Sequence, residues 1–464
     1  MDLFKSKVPD ILFKTYLEAT KEQERERKQK AGERLAIYND DWEDILRNKL
    51  SSLFVKENFD NINLNIDISE NVLKNIIDQI SLVYKESANR TTEPESKEYN
   101  NIKDYIDIDT KFKMLNAYTN LLNDMIIQVA WDYEKEQVKL ILITPAVASV
   151  VQNELNQNEA TAVYYDVESA DSEYEDDKKI IYWDSENHFV IDKDGNHIIN
   201  EENQEEVNPY GILPFVFIHK KQIPGLFWNP VNGNDMVNGT INTGIKNTEK
   251  DYLFKAQSFK QPYMTVQNRD DAPSKDLLLD PLSLLIMTGN NASMGAVDLT
   301  ADFKALDETT KNSVNGFLRT YGLSIDSFAS TEISGKALEI KNRTLIDIRK
   351  NQIETYRKAE KELFEIIRIV NNYHSKSKIA DNVEFKIDYP EMELYDDPKI
   401  KREIADNDLQ KGLITLGQYY MMFNPDIKNE EEAEKILKKN IEDLKSIKDL
   451  GFSINENIEE SEEE

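Results

Sequence analysis

The run Lys336–Tyr373 keeps apolar side chains at helical spacing over 38 residues: Leu338, Ile340, Leu345, Ile348, Ile353, Tyr356, Leu363, Ile366, Ile367 and Val370. One helix of that length spans roughly 57 Å, which exceeds the diameter of a small domain. The chain is therefore expected to form an elongated subunit or to take part in an assembly. The rest of the sequence has to supply elements that can flank so long a rod.

Ahead of the rod, helical spacing recurs in Ile11–Lys30, Asn71–Tyr84 and Lys111–Glu134, the last with Asp109 and Thr110 as caps. The polar stretch Glu86–Tyr105, which holds Pro94, reads as a loop. Across residues 128–220 the period changes to two. Strands are expected at Val138–Ile143, Ala162–Val167, Lys179–Trp183, His188–Asp192, His197–Ile199 and Leu213–His219, with Asp194-Gly195 as a hairpin turn. This small antiparallel β unit also carries Asp166–Asp177, with seven acids and no base.

A helix is predicted over Asp235–Phe259. Its Gly239 and Gly244 cost about 1 kcal/mol each relative to Ala. Either another helix approaches closely there, or the helix is kinked. Residues 261–300 read as loop with one apolar piece, Leu277–Met287. A helix over Asp302–Tyr321 and a small-residue loop, Gly322–Ser334, lead into the rod. After it come a strand at Val383–Asp388, stopped by Tyr389-Pro390, and helices near Pro398–Gln410, Thr415–Met422 and Glu430–Leu444. The tail beyond Phe452 ends in IEESEEE, self-repels, and is expected to be disordered. The fold class is α+β, mainly helical.

Several chemistries are excluded. With no cysteine there is no disulfide scaffold, zinc knuckle, iron–sulfur cluster or thiol catalysis. The start, MDLFKSKVPDILFKTYLEAT, lacks the basic head and apolar run of a signal peptide. The longest apolar stretch, Leu140–Val151, is short and broken by Pro145, so no membrane span is expected. A net charge of −30 argues against a protein that coats DNA. Only four histidines occur, His188, His197, His219 and His374, and none forms an H-x-x-x-H pair. Gly239–Thr248 resembles a phosphate loop, but Ile245 stands where lysine is required. Asp192–Asn196 has the acids of a calcium loop, yet Gly195 falls at its fourth position instead of its sixth. No catalytic residue, metal or cofactor is expected, and the chain is read as not an enzyme.

Three segments resemble the portal proteins of tailed double-stranded DNA bacteriophages. Ile333–Ile340 (ISGKALEI) is similar to the S-G-x-A-L that opens the long helix after the tunnel loop. Val383–Phe423 is similar to an extended segment, a Pro, a helix and a K/R-G-x-I/L-T/S turn, here Lys411–Thr415, and Asn424–Asn440 resembles the acidic helix that follows. Glu70–Tyr84 is similar to the helix before the β unit. In order, the resemblance covers roughly residues 65–445.

The resemblance implies a portal fold. Residues 1–232 and 336–382 would form the wing, with the β unit at 128–220. Helices at 233–260 and 301–321 would form the stem, 261–300 the clip, 322–335 the tunnel loop and 383–451 the crown, before the acidic tail at 452–464. It implies a homo-oligomeric ring, usually of twelve subunits, at one vertex of the virion capsid, assembled in the host cytoplasm. The implied partners are double-stranded DNA passing non-specifically, the terminase large subunit, the head–tail adaptor, the major capsid protein and scaffold protein, with no membrane and no cofactor. Within that frame Ser324, Asp326, Ser327, Ser330, Thr331 and Ser334 are expected to face DNA. Lys246, Lys250, Lys255 and Lys260 are candidates for a lumen ring or for pairs with acids of a neighbouring subunit. The competing readings are a cytoplasmic helical scaffold without a DNA channel and an acidic metal-dependent nuclease.

Overall fold

The computed structural model describes residues 8–53, 64–167, 179–192, 196–199, 206–230, 234–258, 261–268, 285–288, 293–297, 302–323, 335–391, 398–424, 427 and 429–449. In chain order the elements are α1 Val8–Tyr38, α2 Glu43–Ser51, α3 Val72–Ile80, β1 Asn89–Glu93, α4 Lys97–Tyr105, α5 Ile108–Leu122, β2 Asp124–Asp132, β3 Gln137–Ile143, β4 Ala148–Gln152, β5 Ala160–Val167, β6 Lys179–Asp184, β7 His188–Asp192 and β8 Phe215–His219. They continue as α6 Asn234–Ser258, β9 Gln261–Val266, β10 Leu285–Thr288, β11 Ser293–Val297, α7 Phe303–Thr320, α8 Gly335–His374, β12 Glu384–Asp388, α9 Pro398–Gln410, α10 Leu416–Phe423 and α11 Glu430–Asp449. Helix and strand are mixed and helix predominates. Two compact units divide the chain: residues 1–331 with 343–392, and residues 332–342 with 393–464.

The long periodic run forms the 40-residue helix α8, which belongs to the larger unit from Arg343 onward, and its Tyr356, Leu363, Phe364, Ile367 and Val370 are buried in the main core. Tyr356 meets Tyr84 edge-on at 5.3 Å, and Phe364 meets Tyr99 at 5.0 Å. Each such ring or branched side chain stabilises the fold by about 1.5–3 kcal/mol when fully buried. α3 buries Val72, Leu73, Ile76, Ile77 and Ile80, and its Asn71 side chain accepts the Lys74 N–H as a cap. The expected Asn71–Tyr84 helix is thus present but ends at Ile80. α1 runs on to Tyr38, past the expected Lys30.

The structure corrects four readings. The helix expected over Lys111–Glu134 stops at Leu122, where Asn123 turns left-handed (φ 68°) and returns its N–H to Thr119. Met125, Ile126 and Val129 belong instead to β2, the central strand of the sheet β3-β2-β8. Every residue from Asp124 to Val129 is buried, and a strand covered on both faces has apolar positions that can be fitted to a helical period.

Glu86–Tyr105 is not a plain loop. β1 pairs antiparallel with β12, from Asn89 opposite Asp388 to Glu93 opposite Glu384, and Ser96 caps α4 by accepting the Tyr99 N–H. Residues 261–300 are not simply loop-like, because β9, β10 and β11 form a sheet ordered β10-β9-β11, parallel on one side and antiparallel on the other. His197–Ile199 is not a strand. His197 makes a single bridge to Ile191.

The other expected strands of residues 128–220 are present, divided between two antiparallel sheets. β4-β5-β6-β7 is an antiparallel meander, and β4 had no clear period in the sequence. The Asp194-Gly195 turn, the acidic run beyond Val167 and the tail beyond Phe452 lie outside the described residues. Among the described residues no helix is long and apolar enough to cross a membrane.

Candidate functional site

The feature that matches the sequence expectations most specifically is the helix pair α6 and α7. The two run antiparallel, since Gly239 lies under Phe317, Lys246 donates to the Ser313 hydroxyl at 2.7 Å, Lys250 meets Asp307 at 3.0 Å, and Phe254 meets Phe303 edge-on at 5.8 Å. The β9–β11 sheet is inserted in the chain at the Phe254–Phe303 end.

The two glycines of α6 have separate reasons. A Cβ on Gly239 would sit 3.0 Å from the Phe317 ring, and one on Gly244 would sit 2.7 Å from Leu46 and 2.9 Å from Trp42. Close approach, rather than a kink, explains why the helix tolerates them. α3 and the segment before it also seat α6: the Leu73 N–H donates to Thr240 Oγ1 at 2.8 Å and the Asp67 N–H to Thr248 Oγ1 at 3.0 Å.

The lysines expected in the stem divide. Lys246 and Lys250 turn toward α7 of their own chain, Lys255 is exposed, and Lys260 lies outside the described residues. Hydrogen bonding to Lys250, helped by its charge and that of Lys311, holds the Asp307 carboxyl below the usual aspartate range. A cleft of about 500 Å³ beside this pair is lined by Asp67, Glu70, Asn247, Lys250, Asp251 and Asp307.

The sequence reading overlooked α7 as a source of cations. Val314 and Leu318 are the residues it buries, and Lys304, Lys311 and Arg319 are exposed. The signal was available, since Val314 and Leu318 fix which face turns inward.

The candidate DNA-facing residues Ser324, Asp326, Ser327, Ser330, Thr331 and Ser334 lie outside the described residues. What is described is the chain entering that segment. α7 ends in a left-handed Gly322 (φ 71°), with the Leu323 N–H bonded to Leu318 O at 2.9 Å and the Gly322 N–H to Arg319 O at 3.0 Å. A Cβ at Gly322 would lie 2.3 Å from the Thr344 methyl group of α8, so the chain passes against the rod there.

The four histidines have local partners. His188 stacks on Trp183 at 3.5 Å, and burial pushes its pKa down to about 4. His197 meets Glu206 at 2.6 Å, and His219 meets the buried Asp124 at 2.8 Å. Asp124 also accepts the backbone and side-chain N–H groups of Asn229. His374 stacks on Trp131 at 5.0 Å and bonds the Tyr210 hydroxyl at 2.9 Å. Among the described residues no group of three or more His, Asp or Glu side chains is placed to hold a metal ion.

A buried ion pair joins β1 to α8. Arg90 Nε donates to Glu360 at 2.5 Å and Nη2 at 2.9 Å, while Nη1 reaches Asp109. The Tyr84 hydroxyl donates to Glu360 at 2.6 Å. Burial opposes the Arg90 charge, but the bonds to Glu360 more than offset it and raise its pKa. The Arg90 and Glu360 side chains are only 2% and 1% exposed, and the pair is a structural joint.

No family model and no curated protein matches the sequence. Among solved structures, the chain is similar to one described as the neck of an empty GTA particle computed with C6 symmetry. The identity is 9% and the TM-score 0.40, over 76% of this chain and 90% of that one.

Proposed function

We propose that this chain is the subunit of a portal ring, a passive conduit for double-stranded DNA at one vertex of a phage capsid. The observation that carries the reading is the antiparallel pair α6 and α7 with a three-stranded sheet inserted at one end, standing in the chain between an α/β unit and a 40-residue helix. This is the order of stem, clip, stem and long wing helix that the motifs Ile333–Ile340 and Val383–Phe423 imply. In the proposal α6 and α7 are the stem, β9–β11 the clip that meets the terminase and later the head–tail adaptor, α8 with the N-terminal unit the wing, and α9–α11 the crown. The ring has twelve copies, sits in the virion, and serves packaging and ejection without catalysis.

The mechanism is passage. Each phosphate neutralised by a lysine or arginine adds salt-dependent affinity, and a wall that gripped DNA would stall its transport. At −30 per chain, twelve copies carry −360, and an acidic wall repels a polyanion from every side toward the axis. Near the axis the segment Ser324–Ser334 offers hydroxyls with Asp326 and Glu332 and no base, groups that touch phosphate without holding it. The test is Ser327→Arg with Ser330→Arg in a packaging assay. Slower packaging with intact rings is expected, and unchanged packaging kinetics would refute the assignment.

A further inference from the structure

An open sheet ends in strand edges, and a backbone N–H or C=O left there is satisfied only by water or by another chain. In the sheet β3-β2-β8 the pairing shows which groups these are. The Val129 N–H donates to Pro214 O at 2.9 Å and the Lys220 N–H to Asn123 O at 2.8 Å, so the odd-numbered residues of β2 bond to β8. The even-numbered ones therefore bond to β3, in the pairs Ile126–Ile143, Gln128–Ile141, Ala130–Lys139 and Asp132–Gln137. Val138, Leu140 and Leu142 direct their N–H and C=O groups away from the sheet. Val138 is fully buried, whereas Leu140 lines a cleft and Leu142 is half-buried. Among the described residues no hydrogen bond reaches the backbone groups of Leu140 or Leu142 on that side.

The neighbouring meander closes its edges. On β4 the outward Ala148 carbonyl accepts Arg27 Nη2 at 2.6 Å. On β7 the Val190 carbonyl accepts the Ile198 N–H at 2.8 Å, and the His188 N–H donates to Glu206 O at 3.0 Å. β8 has five residues, with the Phe227 ring against Phe217 and His219. β3 has seven, with Lys139 as its one charge and with neither a proline nor a bulge to guard it. The cleft at Leu140 measures about 480 Å³, and Tyr105 and Met114 of the helix layer line it while 41% and 44% exposed. Its charges are mixed, Lys111, Lys135 and Lys139 against Asp107 and Asp132, so backbone pairing and apolar contact select what fits there. We infer that β3 is a docking edge for an extended segment of a different protein, which adds a strand to the sheet and sets alternate apolar side chains over Met114 and Tyr105. Two copies meeting at β3 form a two-fold pair that closes at two subunits and does not continue around a ring. The choice of a different protein rests on the ring reading; the open edge does not.

The test uses the full-length chain, a short peptide of alternating Val and Thr, and the same peptide N-methylated at alternate residues, which keeps the side chains but cannot pair through that edge. Fluorescence anisotropy follows binding, and hydrogen exchange reads the Leu140 and Leu142 amides. The unmodified peptide is expected to bind and to slow exchange at both amides, and the methylated one to do neither. Leu142→Pro removes an outward N–H and no bond to β2, and is expected to weaken binding at least about tenfold. Met114→Glu changes an exposed position of the cleft and is expected to weaken binding by a similar factor. Equal binding of the two peptides, no binding at millimolar peptide, or unchanged affinity in both variants overturns the inference. Slow exchange at Leu140 and Leu142 without peptide, wherever the chain assembles, also overturns it, because a second copy then covers the edge, and it leaves the ring reading standing. A chain that never forms rings removes the ring reading, and the peptide result still decides whether β3 accepts a strand.

Discussion

Arg90 and Glu360 stand 270 residues apart in sequence and form the buried pair that fastens β1 to the rod α8. Removing one partner leaves the other charged and dry, so Arg90→Ala is expected to cost about 3–5 kcal/mol in denaturant unfolding. A double change to apolar residues of similar volume is expected to recover most of that loss, and if the single variant loses under about 1 kcal/mol the pair is not the joint described. His188 gives the pH dependence. Its neutral ring is the folded form, so the unfolded chain binds the extra proton. This contribution is complete above the ordinary histidine pKa and is lost as pH falls toward 4, by at most about 3 kcal/mol. His188→Asn is expected to flatten the stability profile between pH 6.5 and 4; a slope identical to wild type would contradict the burial of this ring.

At the scale of elements, the long rod, the helix pair and most of the β meander were legible because each repeats one period over many residues. α8 differs from the expected bounds by one residue at each end. The failures have physical causes. β2 is buried on both faces, so its apolar residues continued the period of α5, and the left-handed Asn123 that separates the two was the missed signal. β1 contributes Arg90, not an apolar residue, to the interior, so a polar segment hid a strand whose partner lies far along the chain. Of the candidate site, the glycines of α6 were legible as positions of close approach or of a kink, and only the structure decides for close approach; the direction of Lys246 and Lys250 was not legible, because only the register of α7 decides it. Asn123→Val forces a β-branched residue into a left-handed conformation and is expected to cost about 1–2 kcal/mol, with Asn123→Gly near neutral. Equal thermal unfolding of the two variants would mean that the junction is not set by that residue.

At the scale of the whole molecule, the proposed portal ring would set copies of this chain around a hole, with a wall of high negative charge that lets DNA slide through it. The acidic composition fits a surface that must not retain a polyanion. Electron microscopy of the purified full-length protein, with rotational symmetry counted in end-on views, tests the claim most directly. Annular particles with an open centre are predicted; single or paired subunits at every concentration and salt, and no annulus inside assembled particles, would contradict it.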